Sequence, residues 1–324
     1  SNGHERRSAV RRNLAGKGIW SVLRGKHLLG KSLLIAVLAL ASFAPVAAES
    51  TMVGLGSREL KLLVQTDVFA DRAAGYAQCW GIIKDLAAEM GVGVAEVDDP
   101  FAEGARKVIY PDTASEQLAE EGLSIRLRIK LKDGKLESKV DMNVKYRARG
   151  VDAVPSDAVT PVEGIKSSVK YEEDVAGYVG GVVGQNAGTA SLGVTIKGVA
   201  EAELVGNALA AYAAYYPSLT RIGIPLDTQL AIVGGVGVLE YTITPGELDF
   251  GQGMSTEVDM SVWYNFDTGQ IIIAEVSYGS ALGPDAPAEA VEKAVVFFNA
   301  LQGKMSAILV PGGMKTQLMR DSAK

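Results

Sequence analysis

Histidine and cysteine are almost absent from this chain of 324 residues. The two histidines, His4 and His27, both lie near the amino terminus, and Cys79 is the single cysteine. One cysteine cannot form an internal disulfide, and the chain beyond His27 cannot supply Cys/His zinc ligands or a Ser-His or Cys-His nucleophile pair. Chemistry in this part of the chain would have to use carboxylates, Lys, Arg, Tyr or a hard metal ion held by oxygen atoms.

Long hydrophobic runs are also missing. The apolar run Leu33 to Phe43, about eleven residues, is too short to cross a bilayer as a helix. Lys26 and Lys31 precede it, and the small residues Val46-Ala47-Ala48 follow it. We predict a secretory signal peptide over residues 1–48, cleaved after Ala48, with an uncleaved anchor as the alternative. The expected location is the periplasm or the extracellular space, with no stable membrane span after cleavage.

Positive charge is scarce in the remainder of the chain. Residues 1–48 hold eight of the 32 Lys and Arg residues and one of the 38 Asp and Glu residues, so 24 bases and 37 acids remain, a net charge of −13. An overall field of this sign does not attract nucleic acid or anionic lipid. No nucleic-acid partner is expected, and any anion site must be local and concentrated.

A predicted hairpin over residues 124–147 carries such a concentration. Four apolar residues alternate with four basic ones from Ile125 to Lys132, which is the period of a strand, and Asp133-Gly134 is a favourable two-residue turn. Folding about the turn predicts these opposite pairs: Leu131 with Leu136, Leu127 with Val140, Ile125 with Met142, Lys130 with Glu137, and Arg126 with Asp141.

The rest of the chain predicts one α+β domain over residues 49–315, followed by a C-terminal tail over 316–324. Helices are predicted over 71–90, 115–121, 199–215 and 287–301, and strands near 57–64, 108–110, 168–174, 219–224, 236–243, 256–265 and 270–278. No internal repeat is present and no linker is long enough to separate two domains.

Several of these strands carry charge at alternate positions. One interpretation is an open sheet with a solvated face. The other is a closed barrel with charges inside and apolar faces outside, covered by the helices. A lumen rich in Arg and Lys would need a counter-ion, and a polyphosphate suits that role.

The order of short motifs resembles the CYTH superfamily, the triphosphate tunnel proteins, over roughly residues 55–320. In that family the first strand carries Glu-x-Glu-x-Lys and a late strand carries Glu-x-Glu. The matching segments here are Ser57-Arg58-Glu59-Leu60-Lys61, Tyr110-Pro111-Asp112-Thr113, Arg126-Leu127-Arg128, Val144-Lys145-Tyr146-Arg147, Lys170-Tyr171-Glu172, Arg221 after Tyr216-Pro217-Ser218-Leu219, and Ala274-Glu275-Val276-Ser277.

The resemblance implies an antiparallel eight-stranded closed barrel, or tunnel, with helices packed outside. It implies phosphate binding by Lys61, Arg126, Arg128, Lys145, Lys170 and Arg221, and binding of Mg or Mn by Glu59, Glu172 and Glu275. The implied partner is a phosphorylated small molecule or polyphosphate, with weak metal-dependent phosphohydrolase activity. A non-catalytic envelope interaction module on the same fold is the alternative.

Two departures from the family pattern bear on catalysis. Ser57 stands at the first Glu position of the opening motif, and Ser277 stands at the second Glu position of the closing motif. A hard divalent ion needs concentrated negative charge, and serine offers a neutral oxygen instead of a carboxylate. The sequence leaves open whether a neighbouring strand compensates with Glu172, Glu240, Glu257 or Asp259.

Overall fold

The computed structural model describes residues 54–148, 154–235, 237–313, 315, 318 and 319. The predicted signal peptide over residues 1–48 lies outside the described residues, so export stays a prediction. Within the described ranges, no helix is both long enough and apolar enough to cross a membrane.

The described chain is built from twelve strands and four α-helices. The strands are β1 (Ser57–Val64), β2 (Gly93–Glu96), β3 (Gly104–Ile109), β4 (Pro111–Asp112), β5 (Leu123–Lys132), β6 (Lys135–Ala148), β7 (Ser167–Ala176), β8 (Ala187–Ala200), β9 (Ala231–Ile232), β10 (Val238–Asp249), β11 (Ser255–Asn265) and β12 (Ile271–Ala281). The helices are α1 (Arg72–Met90), α2 (Gln117–Glu120), α3 (Leu209–Ala213) and α4 (Ala288–Met305).

Nine of these strands form a closed ring. Their order is β11-β12-β1-β7-β8-β6-β5-β3-β10, and pairing between β10 and β11 completes the barrel, while β2 adds to β10 from outside. The predicted tunnel is therefore confirmed, with two corrections. The ring has nine strands instead of eight, and it is mixed, because β1 pairs with β7 in parallel.

The alternation of apolar and charged residues explains why the barrel closes with its charges inside. On β1, Leu60 and Leu62 lie in a buried cluster with Trp80 of α1 and Phe297 of α4. The intervening residues, such as Lys61, face the enclosed space, which we call the lumen. A second cluster joins the outer faces of β5, β6 and β8 to α3. The helices thus cover the apolar outside of the ring.

The hairpin β5–β6 forms, but its predicted register is correct only near the turn. Leu131 lies opposite Leu136, as predicted, and an irregularity between Ile129 and Leu131 then shifts the pairing by two residues. Beyond it, Leu127 lies opposite Met142, Ile125 opposite Val144, Arg128 opposite Asp141 and Arg126 opposite Asn143. An even shift keeps every side chain on its face but changes its partner, which is why the apolar pattern alone did not reveal it.

The two long predicted helices are confirmed as α1 and α4, whereas the helix predicted over 199–215 is wrong for most of its length. Strand β8 runs to Ala200, and only Leu209–Ala213 is α-helical. Gly206 has a positive φ of 76°, which interrupts a continuous helix. The strand predicted over 219–224 is also wrong, since Pro217–Arg221 is a 3-10 helix.

Replacing Phe297 with alanine tests the contribution of the helical cover. The ring is fully buried against Phe250 and Tyr278, so Phe297→Ala should lower the free energy of unfolding by about 3–5 kcal/mol. The measurement is urea unfolding followed by circular dichroism. The matched control is Val296→Ala, next to it on α4 and 49% exposed, which should stay within about 0.5 kcal/mol of the parent. Equal effects of the two changes would contradict this packing.

Candidate functional site

Three carboxylates and two lysines form a cluster on one side of the lumen. Oxygen atoms of Glu59, Glu172 and Asp174 lie within 4.8 Å of one another. The parallel pairing of β1 with β7 sets Asp174 beside Glu59 and Glu172 beside Ser57. Lys61 is two residues after Glu59 on β1, so the two side chains share a face and the Lys61 ammonium lies beside the carboxylates. The register of the parallel pair therefore builds the cluster.

Asp174 is the centre of this cluster. Its Oδ1 accepts a hydrogen bond from Lys61 Nζ at 2.5 Å, and its Oδ2 accepts from Lys145 Nζ at 3.1 Å and from the Ser191 hydroxyl at 3.2 Å. Arg147 Nε lies 3.6 Å from Oδ2. Burial alone would raise the pKa of the Asp174 carboxyl, but Lys61, Lys145 and Arg147 outweigh burial and hold this pKa far below its ordinary value.

The two lysines respond to this cluster in opposite directions. Burial would lower the pKa of Lys61, but Asp174, Glu59 and Glu275 raise it well above its ordinary value. Burial also acts on Lys145, and together with repulsion from Arg147 it lowers the pKa of this lysine despite Asp174 and Glu172. Lys145 therefore holds its proton less firmly than Lys61 does.

The acidic cluster could bind a divalent metal ion, with competition from the lysines. Glu59, Glu172 and Asp174 supply the oxygen ligands that a hard cation requires. However, Lys61 Nζ lies 2.9 Å from Glu59 and Lys145 Nζ lies 2.7 Å from Glu172, and both oxygens of Asp174 already accept hydrogen bonds. The donor set fits a metal in composition and spacing, and a metal would have to displace the ammonium groups.

Arg126 and Arg128 form a cationic wall on β5. The Nε atoms of both side chains are buried and have no hydrogen-bond partner among the described residues. Burial, followed by repulsion from Arg126 and Arg106, lowers the pKa of the Arg128 guanidinium to about 9. Asp141 faces Arg128 across the hairpin but forms no ion pair with it within the described ranges. Positive charge is thus concentrated here without full compensation.

Glu240 is a buried carboxylate whose negative charge acts on both arginines of this wall. It forms an ion pair with Arg106 and accepts a hydrogen bond from Trp263 Nε1 at 2.8 Å. Burial would raise its pKa, but Arg106 and then Lys315 lower the pKa of the Glu240 carboxyl to about 2. The carboxylate is therefore ionised at every pH at which the protein would work.

The structure separates the residues predicted to bind phosphate into three groups. Lys61, Arg126, Arg128 and Lys145 face the lumen, although Lys61 and Lys145 are engaged with carboxylates. Lys170 shares the lumen-facing alternation of β7 but is exposed, near the end of the barrel at which β7 begins. Arg221 lies in the outer layer, where it pairs with exposed Asp157 at 2.8 Å.

The predicted metal ligands also divide. Glu59 and Glu172 lie together with Asp174, whereas Glu275 on β12 pairs with Lys315 at 2.7 Å. Ser57 lies opposite Glu172 and Ser277 lies opposite Lys61. Glu172 of β7 therefore supplies negative charge beside Ser57, whereas Ser277 lies between Lys61 of β1 and Asp259 of β11.

Sequence reasoning did not assign Asp174, Arg106, Arg147, Glu240 or Lys315 to the site. The signal for Asp174 was present, because Lys170, Glu172 and Asp174 alternate on one strand. Membership of Asp174 in the site depends on the parallel pairing of β7 with β1, which the sequence does not specify. Lys315 gave no local signal, since its role arises from where the chain runs after α4.

Comparison with protein-family profiles gives no match, and comparison with curated proteins gives none. Solved structures do match. A candidate adenylyl cyclase from Hippeastrum, described as having a dominant triphosphatase activity, shares 12% identity over 83% of this chain and 97% of its own, with a TM-score of 0.43. A candidate adenylate cyclase from Bacillus halodurans shares 16% identity over 81% of this chain and 98% of its own, with a TM-score of 0.38. A protein from Pyrococcus horikoshii shares 10% identity over 82% of this chain and 99% of its own, with a TM-score of 0.34.

Identities and scores of this size do not bear on activity. The closed tunnel predicted from the sequence is confirmed at the level of architecture. The ring closes, its charged residues face the lumen, and its helices lie outside. The motif segments on β1, β5, β6, β7 and β12 all lie on strands of that ring.

The buried Glu240 carboxylate should make stability depend on pH. Its pKa is about 2 in the folded protein against an ordinary 4.5, so it contributes about 3 kcal/mol above pH 4.5 and loses this contribution as the pH falls toward 2. Glu240→Gln should therefore be less stable than the parent at pH 7, with a gap that narrows between pH 5 and pH 3. Urea unfolding at each pH measures it, and a gap that stays constant would contradict this assignment.

Proposed function

We propose that the tunnel binds a short phosphorylated polyanion, with tripolyphosphate as the reference ligand. The observation that carries the proposal is the pair of neighbouring lumen arginines, Arg126 and Arg128, whose Nε atoms are buried without partners. Such donors cost free energy until an anion satisfies them, and guanidinium groups match phosphate oxygens in geometry. Like-charge repulsion around Arg128 supports the same conclusion, because a bound anion would relieve it.

The net charge of −13 over residues 49–324 argues against non-specific binding of a polyanion to the protein surface. A protein with this field repels polyanions at its general surface. Binding of tripolyphosphate would therefore depend on the lumen, where Lys61 and Lys145 can add to the two arginines. Lys145, with its lowered pKa, would gain charge stabilisation from a bound phosphate.

We extend the proposal to Mg or Mn at Glu59, Glu172 and Asp174. A polyanion that draws Lys61 and Lys145 toward its phosphates would leave these carboxylates with negative charge to spare. Metal binding would then follow polyanion binding. A bound Mg or Mn ion would neutralise charge on phosphoryl oxygens, which is the chemistry that weak phosphohydrolase activity would need.

A non-catalytic interaction module is the second candidate. The observation in its favour is that Lys61 and Lys145 already neutralise the acidic cluster within the protein. In that case the lumen would hold a ligand or stay a structural network, without turnover. Export, proposed from the apolar run Leu33 to Phe43 and the small residues after it, suits either function.

Substitution of one lumen arginine tests binding. Arg128→Met should abolish tripolyphosphate binding in calorimetry, while the free protein keeps or gains thermal stability, because an incompletely compensated buried charge is removed. The matched control is Arg221→Met, which removes an exposed arginine paired with Asp157 and should bind like the parent. Unchanged affinity in Arg128→Met would refute the proposal.

Phosphate release separates the two candidate functions. With Mg or Mn present, turnover of tripolyphosphate that is lost in Glu59→Ala and in Asp174→Asn would indicate a metal-dependent phosphohydrolase. Binding without turnover would assign the protein to the non-catalytic class. Turnover that persists in both variants would exclude the acidic cluster as the site.

A further inference from the structure

The chain after α4 runs along the end of the barrel at which β1 finishes. Leu309 forms a bridge with Val64, and the Val310 amide donates to the Leu63 carbonyl at 3.0 Å. The Gly312 amide donates to the Tyr178 carbonyl at 2.9 Å. These backbone bonds hold residues 309–312 against the rim of the barrel.

Lys315 enters the lumen from this end. Its ammonium lies 2.7 Å from Glu275 and 2.9 Å from the Ser261 hydroxyl, and 4.9 Å from the centre of the Trp263 ring. Ser261 and Glu275 are cross-strand neighbours on β11 and β12. Lys315 also contributes to the lowered pKa of Glu240 on β10. Lys315 thus interacts with three consecutive strands of the ring, β10, β11 and β12.

Met319 completes an apolar closure at the same end. It is 5% exposed and belongs to a buried cluster with Leu63, Val108, Tyr110, Val233, Val238, Trp263 and Ile273. Five of these residues come from β1, β3, β10, β11 and β12, which are consecutive in the ring. Across this end a phosphate chain would meet apolar side chains, and burying an anion there without partners is strongly unfavourable.

The opposite end has a different character. There β1 begins, and the hairpin β5–β6 extends toward its turn. Lys130, Lys170 and Lys197, which occupy lumen-side register positions of β5, β7 and β8, are all exposed toward this end. The carboxylates of Glu257 and Asp259, at lumen-side positions of β11, are exposed toward the same end. An accessible charged rim at one end and an apolar closure at the other give the lumen a direction.

We infer that the tunnel is blind, closed at one end by Lys315 and Met319, and that it accepts only the end of a linear polyphosphate. This inference rests on the proposed function. It adds that a polyanion enters past Lys130 and Lys170 and stops before the Met319 cluster. Selection is therefore for chain ends and short chains, and a long polymer cannot thread through the protein.

The test uses the full chain and long linear polyphosphate of uniform length. Sedimentation velocity gives the number of protein molecules per polymer chain. A blind tunnel loads at most one protein on each of the two chain ends, and capping both ends with a bulky amine should weaken binding at least about tenfold. More than two proteins per chain, or unchanged binding to capped chains, would overturn the inference.

Variants of the tail identify what closes the tunnel. Met319→Asp should disrupt the apolar closure and raise the loading above two proteins per chain, whereas Val296→Asp, the same kind of change at an exposed position of α4, should leave it at two. Lys315→Gln gives a second, milder release of the tail if Met319→Asp fails to fold. Loading that stays at two in a folded tail variant would refute closure by this segment.

Failure of this inference is distinct from failure of the proposed function. If tripolyphosphate does not bind the parent protein, the proposed function is wrong. If tripolyphosphate binds and long chains load many proteins, the proposed function stands and the blind end does not.

Discussion

The buried Asp174 carboxylate is the interaction on which the arrangement of the lumen depends. Its side chain has no exposed surface, and Lys61, Lys145, Arg147 and Ser191 surround it. A charge in such a place is tolerated only with close partners of opposite sign. Strands β1, β6, β7 and β8 must therefore keep their relative register, since β6 supplies Lys145 and Arg147 and each of the other three strands supplies one member of this group.

The same balance is not reached on the opposite wall. Glu240 compensates Arg106, and Lys315 compensates Glu275. Arg126 and Arg128 keep buried donors without partners. Most other charges in the lumen are paired, so these two neighbouring guanidinium groups would favour a bound anion. Burial of apolar side chains between the ring and the helices offsets the free energy that these unpaired donors cost.

The two-residue shift in the β5–β6 hairpin shows how the sequence could mislead. A register without the shift would have set Arg126 opposite Asp141 and Lys130 opposite Glu137, as a self-neutralised network. The irregularity between Ile129 and Leu131 gives Arg126 the neutral partner Asn143 instead. Apolar alternation cannot distinguish these registers, because an even shift preserves both faces. The shift moves Asp141 from Arg126 to Arg128, with which it forms no ion pair among the described residues.

The long helices α1 and α4, the amphipathic strands and the location of charge on one face of each strand could be predicted from the amino-acid pattern, because they follow from periods of 3.6 and 2 residues. The sequence also excluded Cys/His zinc sites and Ser-His or Cys-His nucleophile pairs beyond His27. Three features became visible only in the folded chain: the parallel β1–β7 pair that sets Asp174 beside Glu59, the position of Arg221 outside the lumen, and the pairing of Lys315 with Glu275. Those features join residues that are 40 or more positions apart in the sequence, and no local pattern encodes such contacts.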